Sequence, residues 1–283
     1  NWWSLALSLC GVELSCLPEL VQTGAGKHVP EHCRNSCFRM GKRFVMAGND
    51  QTAGAYANDC RQNKAVITLG TALVVYRFAG FEPGPYCRAG CWGPYPGGGF
   101  YELAVRDEGC LALDLAAQTC MPGASVEDFM KAAGSVVCPV EEAAPLFFPS
   151  KIKRGSPWSV GGTRGLRAFA VLEGMAFSLR EMMEDDLEGR VSGELCVVGG
   201  GARSDFWLQM IADTLGLKIR RGCGDALLGA AMMALGSRSP AGMEEGRCFL
   251  PDARRREMYG KRYIRWREMK LWGTERVRQH PSS

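Results

Sequence analysis

Apolar positions along this chain follow three kinds of pattern. Two β-branched runs, residues 64–69 and 72–78, flank Gly70-Thr71 and predict a hairpin whose glycine permits a tight turn. Phe169, Leu172, Ala176, Leu179 and Met183 recur at intervals of 3 and 4, which predicts one apolar face on a long helix over about 164–187. A strand at Glu194–Val198 runs directly into Gly199-Gly200-Gly201 and then a helix from about Arg203 to Leu215. Further helices are predicted over residues 2–22 (broken near Leu17-Pro18-Glu19-Leu20), 51–57, Ser125–Ala133 and 225–235, with a short strand at 43–47. A basic helix over 252–272 carries Tyr259, Tyr263 and Trp266. Residues 24–37 and 81–100, rich in Gly, Pro and Cys, read as loops, and 102–148 is mixed. Hairpins combined with strand–turn–helix units predict an α/β domain.

Composition narrows the function classes. The chain has 283 residues, 46% hydrophobic and 23% charged, which suits one large or two modest domains and excludes long disorder. A net charge of +4 does not specify a nucleic-acid partner. The excess sits at the end, where residues 251–283 hold ten Lys/Arg and four Asp/Glu. Arg254, Arg255, Arg256, Arg262, Arg265 and Arg267 surround the helix with Glu257 and Glu268 among them, a pattern of a solvated face. The longest nearly uncharged apolar run, Ala65–Tyr76, is shorter than the ~18 residues a bilayer needs, and no signal-peptide pattern is present. The chain opens on Asn1 rather than Met, and Trp2-Trp3-Ser4-Leu5 reads as mid-helix, which predicts a fragment or a processed product. Thirteen scattered cysteines read as reduced thiols of a cytoplasmic protein. A zinc site is the sharper alternative. Cys33 and Cys37, Cys87 and Cys91, and the histidines His28, His32 and His280 offer no Cys-x2-Cys pair to complete one, so no metal ligand is assigned.

Three local features carry candidate chemistry. At Gly199-Gly200-Gly201-Ala202-Arg203-Ser204 a buried strand meets three glycines and a helix start, so backbone can approach a ligand and helix amides can face it. The loop is neither a Walker A motif nor a Rossmann fingerprint, and a tight structural turn is the competing reading. Gly70-Thr71 can offer an N–H and a hydroxyl to a phosphate oxygen, or be an ordinary hairpin turn. Asp50, after the strand at 43–47, can accept a proton from a substrate hydroxyl, or simply belong to an Asn-Asp helix cap.

Taken in order, the Gly48-Asn49-Asp50-Gln51 turn, Leu69-Gly70-Thr71, Val171-Leu172-Glu173-Gly174-Met175-Ala176-Phe177, the segment from Gly199 to Asp213, and Gly229-Ala230-Ala231 resemble an FGGY carbohydrate kinase. The Gly199–Asp213 segment is most similar to xylulokinases. The resemblance implies an actin-like ATPase (ribonuclease H-like) fold, a mixed sheet flanked by helices, with the second domain nearly complete and the first truncated. Residues 1–58 would be the end of the first, sugar-binding domain, 59–240 the second, nucleotide-binding domain, and 241–283 a basic helix and tail. It implies ATP-dependent phosphorylation of a sugar or polyol, with a pentulose such as xylulose favoured. Mg2+ would accompany the ATP, the partners would include neither nucleic acid nor membrane, and a homodimer is compatible. Asp50 would be the general base and would contact substrate together with Gln51. Gly70 and Thr71 would contact the terminal phosphates; Gly200, Gly201 and Ala202 the adenosine side; Ser204 or Asp205 the ribose or base; and Gly98 the nucleotide. The resemblance also implies that the fragment is inactive by itself, and a non-catalytic actin-like nucleotide-binding module is the alternative. Two departures bear on the site. Ala72 stands where the family usually has Ser, removing a hydroxyl from the phosphate turn, and Gln51 stands where xylulokinases commonly have Asn.

Overall fold

The computed structural model describes residues 2–28, 43–61, 64–82, 84–87, 90–136, 144–152, 157–237 and 246–279. In chain order the elements are α1 (Ser4–Cys10), β1 (Gly26–His28), β2 (Arg43–Val45), α2 (Asp50–Ala57), β3 (Lys64–Leu69), β4 (Leu73–Gly80), β5 (Cys91–Pro94), β6 (Phe100–Arg106) and α3 (Cys110–Cys120). They continue with α4 (Val126–Gly134), α5 (Arg164–Glu181), β7 (Glu194–Val198), α6 (Asp205–Leu215), β8 (Ile219–Arg221), α7 (Ala226–Leu235), β9 (Cys248–Phe249) and α8 (Ala253–Gln279). A seven-stranded sheet has the order β5-β6-β4-β3-β7-β8-β9, and β1 and β2 form a separate ribbon. Strand β3 lies parallel to β7, and β7 to β8, while the flanking pairs are antiparallel.

Alternation along the central strands decides the layers. Ile67, Leu69, Leu73 and Val75 face a large core shared with α3, α4, α5, α6 and α8. Val66, Val74 and Tyr76 face the opposite way, where Ala55 of α2, Cys60 and Cys196 close a second cluster. On α5, Phe169, Leu172, Ala176 and Leu179 are fully buried, as their spacing predicts. Gly174 lets this helix touch the chain before it, since a Cβ there would lie 2.3 Å from the Phe147 carbonyl oxygen. The fold is the predicted mixed sheet flanked by helices.

Several elements differ from the expectation. Residues 2–22 are not one broken helix: α1 stops at Gly11 (φ 64°), a single 3-10 turn follows at Leu14–Cys16, and no residue of α1 is buried. Without a packed face, helix propensity alone does not extend it. The 81–100 segment is not all loop. Its Cys91–Pro94 adds β5 at the sheet edge, where a proline at the strand's end costs no ladder bond. The loop expected over 24–37 holds β1 at its start; His32, Cys33 and Cys37, like His280, lie outside the described residues. The long helix ends as α-helix at Glu181 and continues as a π-helical turn over Met182–Asp186. Finally, the solvated face expected of the basic helix covers only part of it. In α8, Tyr259, Tyr263 and Trp266 are buried in the main core, while Arg254, Arg255 and Arg256 stay exposed. Among the described residues no helix is long and apolar enough to cross a membrane.

Candidate functional site

Parallel pairing of β3 with β7 sets Thr68 opposite Val198, so the turns leaving both strands emerge side by side. Ligands of α/β sheets collect at such carboxyl ends. After β3, the chain turns through Gly70-Thr71-Ala72 back into β4, with Leu69 paired to Leu73. This turn is fixed from outside: the Cys110 N–H at the start of α3 donates to the Gly70 carbonyl at 2.7 Å. Gly109 makes that docking feasible, because a Cβ there would lie 2.3 Å from the Thr71 carbonyl oxygen.

After β7, Gly199 takes φ 94° and a 3-10 turn follows over Gly200–Arg203. The three glycines have different causes. A Cβ on Gly199 would sit 2.5 Å from the Leu69 carbonyl oxygen, and one on Gly201 would sit 2.4 Å from the Trp207 ring. Those two are demanded by packing. A Cβ on Gly200 meets nothing within 4 Å, so the protein's own interior does not require this glycine. Ser204 then caps α6, its hydroxyl accepting from the Trp207 N–H at 3.2 Å.

Between the two turns lies a cleft of about 790 Å3, with Gly70, Thr71, Gly200, Gly201 and Ser204 on its wall. Five of the residues expected to bind nucleotide therefore meet in one place. Helices α3 and α4 supply the facing wall, including Leu113, Asp114, Glu127 and Met130. Sequence reasoning missed these, because nothing in a helical period marks which polar position turns toward a ligand rather than toward bulk water. Cys110 also lines the cleft. Burial, then Asp114, pushes its thiol up to about 11, so it stays protonated at neutral pH.

Other expected residues sit elsewhere. Ala202 is buried in the core rather than on the cleft wall, and its carbonyl accepts from the Arg221 Nε at 2.8 Å. Asp205 is paired with Arg221 and Arg247, and Arg221 chiefly holds its carboxyl below the usual range. Gly98 is not at this cleft. It belongs to the Tyr95–Gly99 turn joining β5 to β6, where Gly97, Gly98 and Gly99 all have positive φ, and it borders a separate cavity of about 360 Å3. Turn geometry accounts for that glycine.

Asp50 opens α2, exposed, behind the cap Asn49, whose side chain accepts from the Thr52 N–H at 2.7 Å. The Gln51 N–H donates to Asp50 Oδ1 at 2.8 Å. Asp50 is not on the cleft wall, yet its helix start is stitched to the sheet beside it. Thr68, two residues before Gly70, donates to Gln51 Oε1 at 3.1 Å; Tyr76 donates to Thr52 Oγ1 at 3.2 Å; and Asn49 Nδ2 donates to the Tyr101 hydroxyl at 3.3 Å. Three strands thus hold one helical turn, and a carboxylate at its N-terminus is fixed relative to the Gly70-Thr71 turn.

Comparison with known proteins bears directly on this arrangement. Residues 156–237 match the model of the "FGGY family of carbohydrate kinases, C-terminal domain". A xylulose kinase of Bacillus subtilis is 26% identical over 254 residues, covering 83% of this chain and 50% of that protein. A xylulose kinase of Escherichia coli is 27% identical over 300 residues, covering 95% and 60% respectively. Among solved structures, a "xyloylose kinase" from Brucella ovis superposes with a TM-score of 0.78 at 21% identity, over 95% of this chain and 60% of its own. The chain thus spans between half and three fifths of the length of these relatives. Residues 156–237 thus match the C-terminal domain of FGGY carbohydrate kinases, and the chain is similar to xylulose kinases over most of its length.

Proposed function

We propose that this chain forms the nucleotide-binding wall of an ATP-dependent kinase that phosphorylates a hydroxyl of a sugar or polyol, a pentulose such as xylulose first among them. The observation that carries the reading is the single cleft in which the Gly70-Thr71 turn and the Gly200–Ser204 turn converge. Gly70 and Thr71 hold the terminal phosphates, the exposed Thr71 hydroxyl and turn backbone providing the donors. Gly200, Gly201 and Ser204 form the adenosine side, and Val126 and Met130 supply apolar surface for a base. The open space over Gly200 is the feature of a backbone that makes room for a ligand. Mg2+ bound with the nucleotide would neutralise phosphate charge. Asp50 accepts the proton of the sugar hydroxyl as its oxygen bonds to the γ-phosphorus and the bond to ADP breaks, and Gln51 orients the carboxylate and lies beside the substrate. Such a transfer asks chiefly for alignment, which the stitched start of α2 supports.

In this reading residues 1–58 close the sugar-binding domain, 59–240 make the nucleotide-binding domain, and 241–283 brace it through α8. The protein works in the cytoplasm with reduced thiols. The chain by itself binds nucleotide but does not phosphorylate, since most of the sugar-binding domain belongs to the remainder of the relatives' length.

Calorimetric titration of Mg-ADP into this chain should give saturable one-site binding, and absence of binding at millimolar ADP would overturn the reading. A form carrying the family's N-terminal half should phosphorylate a pentulose or polyol. In it Asp50→Asn should lower kcat by roughly 10^2–10^4 with ADP affinity nearly kept. Binding without any phosphorylation would instead leave a non-catalytic actin-like nucleotide-binding module.

A further inference from the structure

Beyond the cleft wall, one side chain organises the glycine turn without belonging to it. Arg221 ends β8, and its guanidinium reaches under the Gly200–Arg203 turn. Its Nε donates to the Ala202 carbonyl at 2.8 Å, and one Nη donates to the Arg203 carbonyl at 3.5 Å and to Asp205 Oδ1. The same arginine therefore grips two consecutive carbonyls of the turn and the first residue of α6. Arg247 braces it: Arg247 donates to the other Asp205 oxygen, its carbonyl accepts the Arg221 N–H at 2.9 Å, and both guanidinium groups lie over the Phe249 ring, at 5.3 and 5.8 Å. Gly246 allows this close approach of β9 to β8, for a Cβ there would lie 1.7 Å from the Arg221 carbonyl oxygen.

Resting on the nucleotide reading above, we propose that Arg221 is a positioning residue for nucleotide binding, holding the peptide planes of the Gly200–Ser204 turn in the orientation the adenosine side requires. A trans peptide is planar, so a carbonyl fixed toward Arg221 turns the N–H of the same peptide unit the opposite way. Fixing the Ala202 and Arg203 carbonyls thus fixes the peptide planes of the 3-10 turn, whose Ser204 N–H donates to the Gly201 carbonyl at 3.3 Å, and with them the course of Gly200, Gly201, Arg203 and Ser204 along the cleft. The planar fork of arginine can hold two carbonyls and a carboxylate at once, which a lysine ammonium on a flexible stem does not reproduce. Arg221 itself is not on the cleft wall, so its effect passes through the turn.

The test compares Mg-ADP and adenosine binding in the unaltered chain and in Arg221→Ala, with thermal melts of both. Arg221→Ala should weaken ADP and adenosine alike, by about tenfold or more, as misplacement of a binding element does. Guanidinium chloride at about 20 mM, far below the molar concentrations that unfold proteins, should restore part of the affinity by filling the vacated place. A merely structural loss of stability would not recover in that way. Loss confined to ADP would show direct phosphate contact and overturn the proposal, as would equal affinities in the two proteins. If Arg221→Ala fails to fold, Arg247→Gln removes only the exposed brace. It should weaken both ligands by a few-fold at an unchanged melting temperature, and unaltered binding in that variant would count against the proposal. Absence of ADP binding to the unaltered chain would instead remove the nucleotide reading itself.

Discussion

The buried ion pair between α8 and α5 yields the most quantitative prediction. Glu173 is fully buried on α5, and Arg262 of α8 is 7% exposed. Arg262 Nε donates to Glu173 Oε1 at 2.6 Å, and one Nη donates to Oε2 at 2.7 Å and to the Pro145 carbonyl at 3.1 Å. Arg262→Met leaves the carboxylate buried without its countercharge, a change that costs roughly 3–5 kcal/mol. For a chain of this size that corresponds to a fall in Tm on the order of 10 °C. The sign of the pH dependence follows from the carboxyl itself. Burial pushes Glu173 above its ordinary value and Arg262 pulls it back. With the arginine gone only the upward push remains, so the folded protein keeps a proton that the unfolded chain releases. Stability is then full below the ordinary glutamate value and is lost as pH rises through the elevated folded value. Urea unfolding followed by circular dichroism should show a larger deficit for Arg262→Met at about pH 8 than at about pH 5. The double variant Glu173→Leu/Arg262→Met should recover most of the loss, because an apolar pair can replace a buried ion pair. A deficit equal at both pH values, or larger in acid, would refute this reasoning.

Further outcomes are expected. Gly200→Val should leave the melting temperature unchanged, since a Cβ there meets nothing, yet weaken ADP binding by more than about tenfold; Gly201→Ala should lower stability by about 1–3 kcal/mol by driving a methyl into Trp207 and Leu69. Gly109→Ala should both destabilise the fold and weaken ADP binding, because its Cβ would strike the backbone of Thr71 and Ala72 at 2.3–2.6 Å; calorimetry with and without ADP reads both effects. Iodoacetamide at mildly alkaline pH should spare Cys60, pushed up to about 12 by burial, and label the exposed Cys223 and Cys248 in peptide maps. Titration of the urea-unfolded, unreduced chain should then count all 13 thiols.

Elements whose cause is local were legible in the sequence. Lys64–Leu69 and Leu73–Gly80 announce a hairpin through β-branched runs about a glycine, and Glu194–Val198 is delimited by the glycines that follow it. Strand β8 was not, since two of its three residues are Arg220 and Arg221, which no alternation of apolar positions marks as sheet. Those arginines are held by Glu194, Ala202 and Asp205, partners set by tertiary contact. The role of α8 was hidden for the same reason. The six arginines from Arg254 to Arg267 read as solvated, yet Arg262 is buried because Glu173, 89 residues earlier, meets it.

The candidate site divides along the same line. Its backbone half was readable, because close approach of chain to chain leaves glycine as a local trace. The trace is nevertheless ambiguous in a way that only coordinates resolve. Of three consecutive glycines, Gly199 and Gly201 serve the packing of β3, β7 and Trp207, and Gly200 alone lacks a cause inside the protein. A triple glycine between strand and helix therefore carries less functional weight than its length suggests, and the ligand argument rests on its middle member. The side-chain half, Asp114 and Glu127 among it, comes from helices whose polar faces meet the cleft only after α3 has docked on the Gly70 turn. Their participation is a consequence of Gly109, whose missing Cβ lets that docking occur. Sequence periodicity identified the helix that follows Ser125, but it could not have pointed either helix at a nucleotide.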